Sequence, residues 1–339
     1  MTKSGDKGAE AAGLDIGTYS IKVAVFKNIL GVKTLTALSE KKISPESDLN
    51  EKTDIIKKMF EELNFRPREV NLSISGPGVV VRFVNFPKMS RQELENALVY
   101  EAEKYIPFNI SEVVTDFVIS EGVSETGQMR VILAAAKKNS IEDLIKVCGD
   151  LSLAIGIIDT DPFAVFNAFW EGKPSLKEKT YALINFGHSR SDLLVSTGKE
   201  PSFIRQIQFA GKNIAEAISR DLSIRPEEAE KYKLDPVSEE SERVFQSTCS
   251  VLDDLVKEIQ LSFSYFENRQ GKNISEVYCS GGMIEQEGVF EYLNKNLKVQ
   301  MKKWNPMETL AIAEHLSREY VSSAASRFAV CAGLALRKE

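Results

Sequence analysis

Two stretches half a chain apart carry one pattern. GLDIGTYSIKVAVF (13–26) and LINFGHSRSDLLVS (183–196) each run an apolar strand into a polar residue, a glycine two positions later, hydroxyl side chains and a second strand. Repetition at this separation constrains the fold more than any single motif, because it marks a duplicated chain with two lobes. One copy alone reads as an ordinary hairpin. Two such hairpins facing each other can grip a phosphate chain from both sides.

The residue types suit that chemistry. A tight turn bearing glycine and small hydroxyls presents backbone N–H groups to phosphate oxygens. Gly17, Thr18, Tyr19, Ser20 and Lys22 form the first candidate phosphate loop; Gly187, His188 and Ser189, with Ser191 beyond, form the second. Gly17 and Gly187 are expected because a Cβ there would crowd the ligand. Asp15 lies inside an apolar strand, where an unpaired carboxylate is costly. At the strand's end it would face Mg²⁺ through coordinated water, since Mg²⁺ dehydrates reluctantly. A third element, Cys279-Ser280-Gly281-Gly282-Met283, runs a strand into a double glycine on which an adenine or ribose could lie. Neither GxxxxGK[ST] nor GxGxxG follows the first strand.

Composition narrows function by exclusion. A net charge of −6 offers no electrostatic footprint for nucleic acid. Four scattered cysteines without CxxC spacing point to buried thiols in a reducing compartment. Only two histidines, His188 and His315, argue against a histidine triad or metal site. The leader MTKSGDKGAEAA lacks the apolar core of a signal peptide, and no stretch approaches the ~18 apolar residues of a spanning helix. The expectation is a cytoplasmic protein without direct membrane insertion, peripheral to a membrane only through another protein.

Periodicity predicts a β-meander across 23–43, a helix over 51–65 and a strand pair over 70–87 around Gly76-Pro77-Gly78. Ser90 and Glu93 form a capping box for LENALVYEAEKYI, which Pro107 ends. With strands VVTDFVI and MRVILAAAK and the helix IEDLIKVCGDL, this makes a helix–strand–strand–helix insert over 86–156. A strand then runs into a helix at Asp161-Pro162. The second hairpin follows, then helices at 211–222, 226–233 and 241–269, the CSGG strand and a closing helix near 322–336.

Together with VRFVNFPKMSRQELENALVYEAEKYIPF (81–108) and IIDTDPFAVFNA (157–168), these motifs resemble the actin/DnaK-type nucleotide-binding superfamily and, within it, the PilM family of type IV pilus assembly. The resemblance spans nearly all of 13–337. It implies an α/β, actin-like (ribonuclease H-like, duplicated) two-lobed nucleotide-binding fold with an FtsA-type inserted subdomain. A flexible leader (1–12) would precede a first lobe of 13–85 and 157–178, completed by part of a closing helix at 322–337. The insert would be 86–156 and the second lobe 179–321.

The resemblance also implies ligands and a partner. ATP with Mg²⁺ would lie between the lobes. A PilN-like inner-membrane protein would dock a short N-terminal peptide between the first lobe and the insert, within 81–110. Gly211 and Asn213 would face the nucleotide near Gly281, Gly282 and Met283, with Glu230 and Lys233 beside adenine and ribose. Glu230 and Lys233 are also i,i+3 neighbours, so a surface ion pair is an equal reading. Asp161 would orient the attacking water, or else cap the helix it begins.

Three positions depart from the family. Asn185 stands where the second loop usually carries Asp, which weakens the hold on Mg²⁺ and the activation of water. His188 replaces a smaller residue, either donating to a phosphate or crowding it, and Met283 replaces a third glycine. The expected function is an ATP-binding assembly protein with slow or no hydrolysis, self-association remaining open. The alternatives are an FtsA-like division protein, a nucleotide-free scaffold like the cytoplasmic lobe of GspL, and a small-molecule kinase of the same superfamily. FtsA-like proteins end in an amphipathic helix, whereas this chain stops at GLALRKE.

Overall fold

Alternation along the strands assigns each sheet face its own core. The computed structural model describes residues 10–123, 127–172, 176–235 and 239–337. Strands β1 (Glu10–Ile16), β2 (Ser20–Ile29) and β3 (Val32–Lys42) form an antiparallel meander. Helix α1 (Leu49–Glu62) follows, and β4 (Glu69–Ile74) then pairs parallel with β1. Ile21, Val23 and Val25 of β2 share a core with Ile56, Met59 and Phe60 of α1, while Ala24 and Phe26 face the opposite core. The leader expected over 1–12 lies outside the described residues up to residue 9; β1 already begins at Glu10.

The strand pair expected over 70–87 does not form. After Gly76, held at φ +117°, β5 (Val79–Phe86) joins a separate three-stranded sheet, ordered β5-β7-β6. Its other members are β6 (Val113–Val123) and β7 (Met129–Lys137), and α2 (Arg91–Glu101) buries Leu94 and Leu98 in the same core. The capping box is present: the Ser90 hydroxyl accepts from the Glu93 N–H, and the Glu93 carboxylate accepts from the Ser90 N–H. Helix α3 (Lys138–Asp150) leaves this unit, because Val147 and Cys148 are buried with α1. The small sheet therefore starts at Val79 rather than 86 and ends before α3.

The chain re-enters the first sheet with β8 (Ala154–Thr160), continues into α4 (Asp161–Gly172), and then repeats the opening meander as β9 (Thr180–Phe186), β10 (Ser191–Thr197) and β11 (Glu200–Ile207). Next come α5 (Gly211–Leu222), α6 (Pro226–Leu234) and the long α7 (Ser241–Gln270). Strand β12 (Glu276–Ser280) pairs parallel with β9, and β13 (Met301–Lys303) follows α8 (Val289–Asn296). Strand β14 (Ala311–Ile312) crosses back to β3, although it falls in the span expected for the second lobe. The closing helix is two pieces, α9 (Arg318–Ala324) and α10 (Ala329–Leu336), separated by a 3₁₀ turn over Ala325–Phe328. The sheets read β14-β3-β2-β1-β4-β8 and β11-β10-β9-β12-β13.

Helices α4 and α10 lie between the two sheets, packed against Phe26 and Leu35 from one and Tyr181, Leu183 and Leu194 from the other. Phe169 of α4 is fully buried, its ring within 4.7 to 5.2 Å of those of Tyr181, Tyr278 and Trp304. The helices touch backbone to backbone: a Cβ on Gly333 would stand 1.7 Å from the Ala164 carbonyl oxygen. Overpacking a filled core costs about 1–3 kcal/mol, and more where the obstacle is backbone. Gly333→Ala should accordingly lower the thermal melting temperature by several degrees or prevent folding. An unchanged melting curve would contradict this packing.

Candidate nucleotide site

The hairpins β1–β2 and β9–β10 turn in the same way. The Gly17 N–H donates to the Ser20 carbonyl at 3.1 Å, and the Gly187 N–H to the Arg190 carbonyl at 3.0 Å. A Cβ on Gly17 would lie 2.8 Å from Ser20 O, and one on Gly187 2.7 Å from Arg190 O. Both glycines are thus required by their own turns. Gly281 is likewise demanded by its φ of +103° and by the Phe186 carbonyl, 2.2 Å from an ideal Cβ. At Gly282 a Cβ would meet only the Arg327 side chain, at 3.7 Å.

A 740 Å³ cavity opens between the lobes, a size suited to a cofactor-sized ligand. Its first wall carries Asp15, Gly17, Thr18, Tyr19, Ser20 and Lys22. Facing them are Gly187, His188 and Ser189, and Gly211 and Lys233 lie beyond. Gly281, Gly282 and Met283 close one end, and Asp161, first residue of α4, also lines it. Three expected residues are not on the wall: Asn213, Glu230 and the buried Ser191, whose hydroxyl donates to the Phe209 carbonyl at 2.7 Å. The Asn213 carboxamide accepts from the Ala210 N–H at 3.0 Å, closing the start of α5. Glu230 sits behind Lys233, whose ammonium is 2.6 Å away and whose side chain is only 4% exposed, so the pair is partly buried and not a solvated surface bridge. The Ser20 hydroxyl is turned to Glu40 at 2.9 Å.

Opposed residues on the two ladders set the electrostatics. Asp15 stands opposite Lys22, with 3.3 Å between carboxylate and ammonium. Burial raises the Asp15 pKa, with Lys22 opposing. Asn185 stands opposite Asp192, and its Oδ1 accepts from the Ser280 hydroxyl at 3.1 Å. Burial and the charge of Asp161 push Asp192 up to about 8, against Arg190 and a hydrogen bond from Gln206. Its Oδ1 is buried without a hydrogen-bond partner. Among the described residues no three His, Cys, Asp or Glu side chains are grouped to hold an ion by themselves. A cation here would take most ligands from phosphate and water, as Mg²⁺ does in nucleotide sites.

Polar and aromatic links cross the mouth of the cleft. Tyr19 stacks on His188 with centroids 4.7 Å apart, and Lys42 and Lys233 lie over the Tyr19 ring at 5.4 and 5.7 Å. Arg327 pairs with Glu40 of β3 at 2.9 Å and with Glu285 beyond β12.

The sequence profile of the type IV pilus assembly protein PilM matches residues 13–339. The chain belongs to the PilM family. A chain of the solved PilM–PilN type IV pilus biogenesis complex is 27% identical, with a TM-score of 0.88 covering 97% of this chain and 98% of that one. The ethanolamine utilization protein EutJ from Carboxydothermus hydrogenoformans shares the fold at 13% identity, with a TM-score of 0.59 over 97% of this chain and 89% of its own. MreB 5 of Spiroplasma citri, solved bound to AMPPNP, does so at 15% identity and a TM-score of 0.50, covering 96% and 94%. The architecture is actin-like, two-lobed and mixed α/β.

Residue reading missed several cavity residues of this PilM-family chain: Glu40, Lys42, Arg190, Asp192 and Arg327. Asp192 had a signal, because it occupies in the second repeat the place of Lys22 in the first. Arg327 had none, since its partners Glu40 and Glu285 lie far from it in sequence.

Burial, with help from Lys233 and Lys212 and opposition from Glu230, holds the His188 pKa below the ordinary histidine range. Below about pH 6.5 the unfolded chain takes up this proton and the folded chain resists it. Stabilisation from neutral His188 is therefore present above that pH and lost as pH falls toward the folded-state value. Melting curves between about pH 7.5 and 5 should show a smaller acid loss in His188→Gln than in the parent. Equal losses would rule out a neutral, buried His188.

Proposed function

We propose that this PilM-family protein binds ATP with Mg²⁺ between its matched hairpins and recruits a PilN-like membrane protein through that protein's N-terminal peptide. The observation carrying the nucleotide reading is the interlobe cavity, with two equivalent glycine turns facing each other across it. Phosphates would lie between Gly17-Thr18 and Gly187-Ser189, with Lys22 neutralising charge and Asp15 facing the metal through water. Bound Mg²⁺ supplies charge neutralisation for the phosphates. The base and ribose would lie along Gly281-Gly282-Met283, near Gly211 and Lys233, and the open face of Gly282 supports this.

Asp161 is the water-orienting candidate. Asn185, already hydrogen-bonded to Ser280, contributes no charge, which supports slow or absent hydrolysis. The partner reading draws on the related chain solved with PilN and on the segment 81–110. Within it, α2 keeps Val99 and Tyr100 at 67% and 79% exposure, unusual for apolar and aromatic side chains on a packed helix. Among the described residues no helix is long and apolar enough to cross a membrane, which suits attachment at the membrane face through a partner.

Calorimetric titration with ATP–Mg²⁺, with and without a PilN-type N-terminal peptide, tests both parts. Asp15→Asn should weaken ATP–Mg²⁺ binding about 10- to 100-fold and leave peptide binding near the parental value. Parental ATP–Mg²⁺ affinity in this variant would remove Asp15 from the metal side, and absence of both binding events would defeat the proposal.

A further inference from the structure

The two hairpins correspond residue for residue: Asp15 to Asn185, Gly17 to Gly187, Ser20 to Arg190 and Lys22 to Asp192. Their turns close with the same hydrogen bond, and in each the first and last of these residues are directly opposed across the ladder. Directly opposed residues project to the same face of a sheet. The face is identified by neighbours: Leu183 and Leu194, two residues beyond Asn185 and Asp192, both point into the core between the lobes. Asn185 and Asp192 therefore both face the cleft.

In the first hairpin the carboxylate is on the first strand and the cation on the second. In the second hairpin the first strand carries a neutral amide and the second the carboxylate. The carboxyl group expected at position 185 is not lost; it has moved across one rung of the ladder, where burial favours its neutral form until a cation meets it. Asp192 is 4% exposed and lines the cavity that Asp15 and Asp161 also line. Its Oδ1 has no hydrogen-bond partner, a costly state for a buried carboxyl oxygen unless a cation or donor meets it. The nearest cation in sequence does not meet it. Arg190 donates from Nη2 to the Ser189 hydroxyl at 3.3 Å, and its unpaired Nη1 lies against Gly76, 2.8 Å from where a Cβ would be.

We infer that Asp192 is the second lobe's carboxylate toward the divalent cation that accompanies a nucleoside triphosphate, acting through metal-bound water in the place left neutral by Asn185. This rests on the nucleotide reading above. It revises the expectation that Asn185 leaves the second lobe without a negative group at the metal.

The test is calorimetry on the full chain with ATP in Mg²⁺ and with ATP in EDTA. Asp192→Asn, nearly isosteric, should lose about 10- to 100-fold in ATP–Mg²⁺ affinity and little in metal-free ATP affinity. The double variant Asn185→Asp with Asp192→Asn returns the charge to β9 and should recover most of the loss. Parental ATP–Mg²⁺ affinity in Asp192→Asn, or an equal loss in Mg²⁺ and EDTA, overturns the assignment while leaving the nucleotide site standing. A parent chain that binds no ATP overturns both. Should Asp192→Asn fail to fold, the double variant decides: parental metal dependence supports the displaced carboxylate, and its absence overturns it.

Discussion

The backbone of α10 lies against two other backbones at once. Gly333 meets the Ala164 carbonyl of α4, and Gly13 of β1 meets the Cys331 carbonyl, 2.1 Å from where a Cβ would stand. The Cys331 thiol also donates to the Gly13 carbonyl at 3.0 Å. Without side chains at these two points, α4 and α10 form one thin layer that both sheets can cover. A single apolar core then runs from Phe26 and Leu35 through Phe169 to Tyr181 and Leu194. Close packing of this kind leaves few alternative arrangements, so the hairpins at the sheet ends are held facing each other.

Polar contacts across the cleft contribute much less. The Arg327 pairs with Glu40 and Glu285 are partly exposed, and such bridges are worth about 0–1 kcal/mol. The shared core buries many large side chains, each worth about 1.5–3 kcal/mol when fully covered. The relation between the lobes is therefore set by the core. The Tyr19–His188 stack and the Arg327 pairs are features of the cleft mouth. Lys22 and Lys233 both have carboxylate partners, so the cavity is not a simple basic pocket. Among its buried side-chain atoms, Asp192 Oδ1 and Arg190 Nη1 have no hydrogen-bond partner.

Much of this architecture is legible along the chain because it depends on local pattern. The capping box at Ser90 and Glu93, the helices at 211–222 and 226–233, and both glycine turns are formed by residues a few positions apart. Errors arose where a neighbour distant in sequence decided the outcome. Gly76-Pro77-Gly78 reads as a hairpin turn, yet β4 finds β1 and β8 while β5 finds β7. Helix α3 follows the insert in sequence but buries Val147 and Cys148 with α1. At Asn213 the deciding neighbour is local: its Oδ1 accepts from the Ala210 N–H three residues before it.

The sequence by itself determined the duplicated hairpins, the family and most of the candidate cleft, because short-range periodicity and spaced motifs survive without coordinates. Only the tertiary structure decided which groups confront each other. Strand register puts Asp192 opposite Asn185, core packing puts the two turns face to face, and Arg327 reaches Glu40 from the far end of the chain. The hairpin register follows from its own turn; the other two are long-range outcomes of burying one core between two sheets, and no local pattern encodes them. GLDIGTYSIK and INFGHSRSDLL thus show where a phosphate chain could be gripped, while the fold shows how their charges are distributed around it.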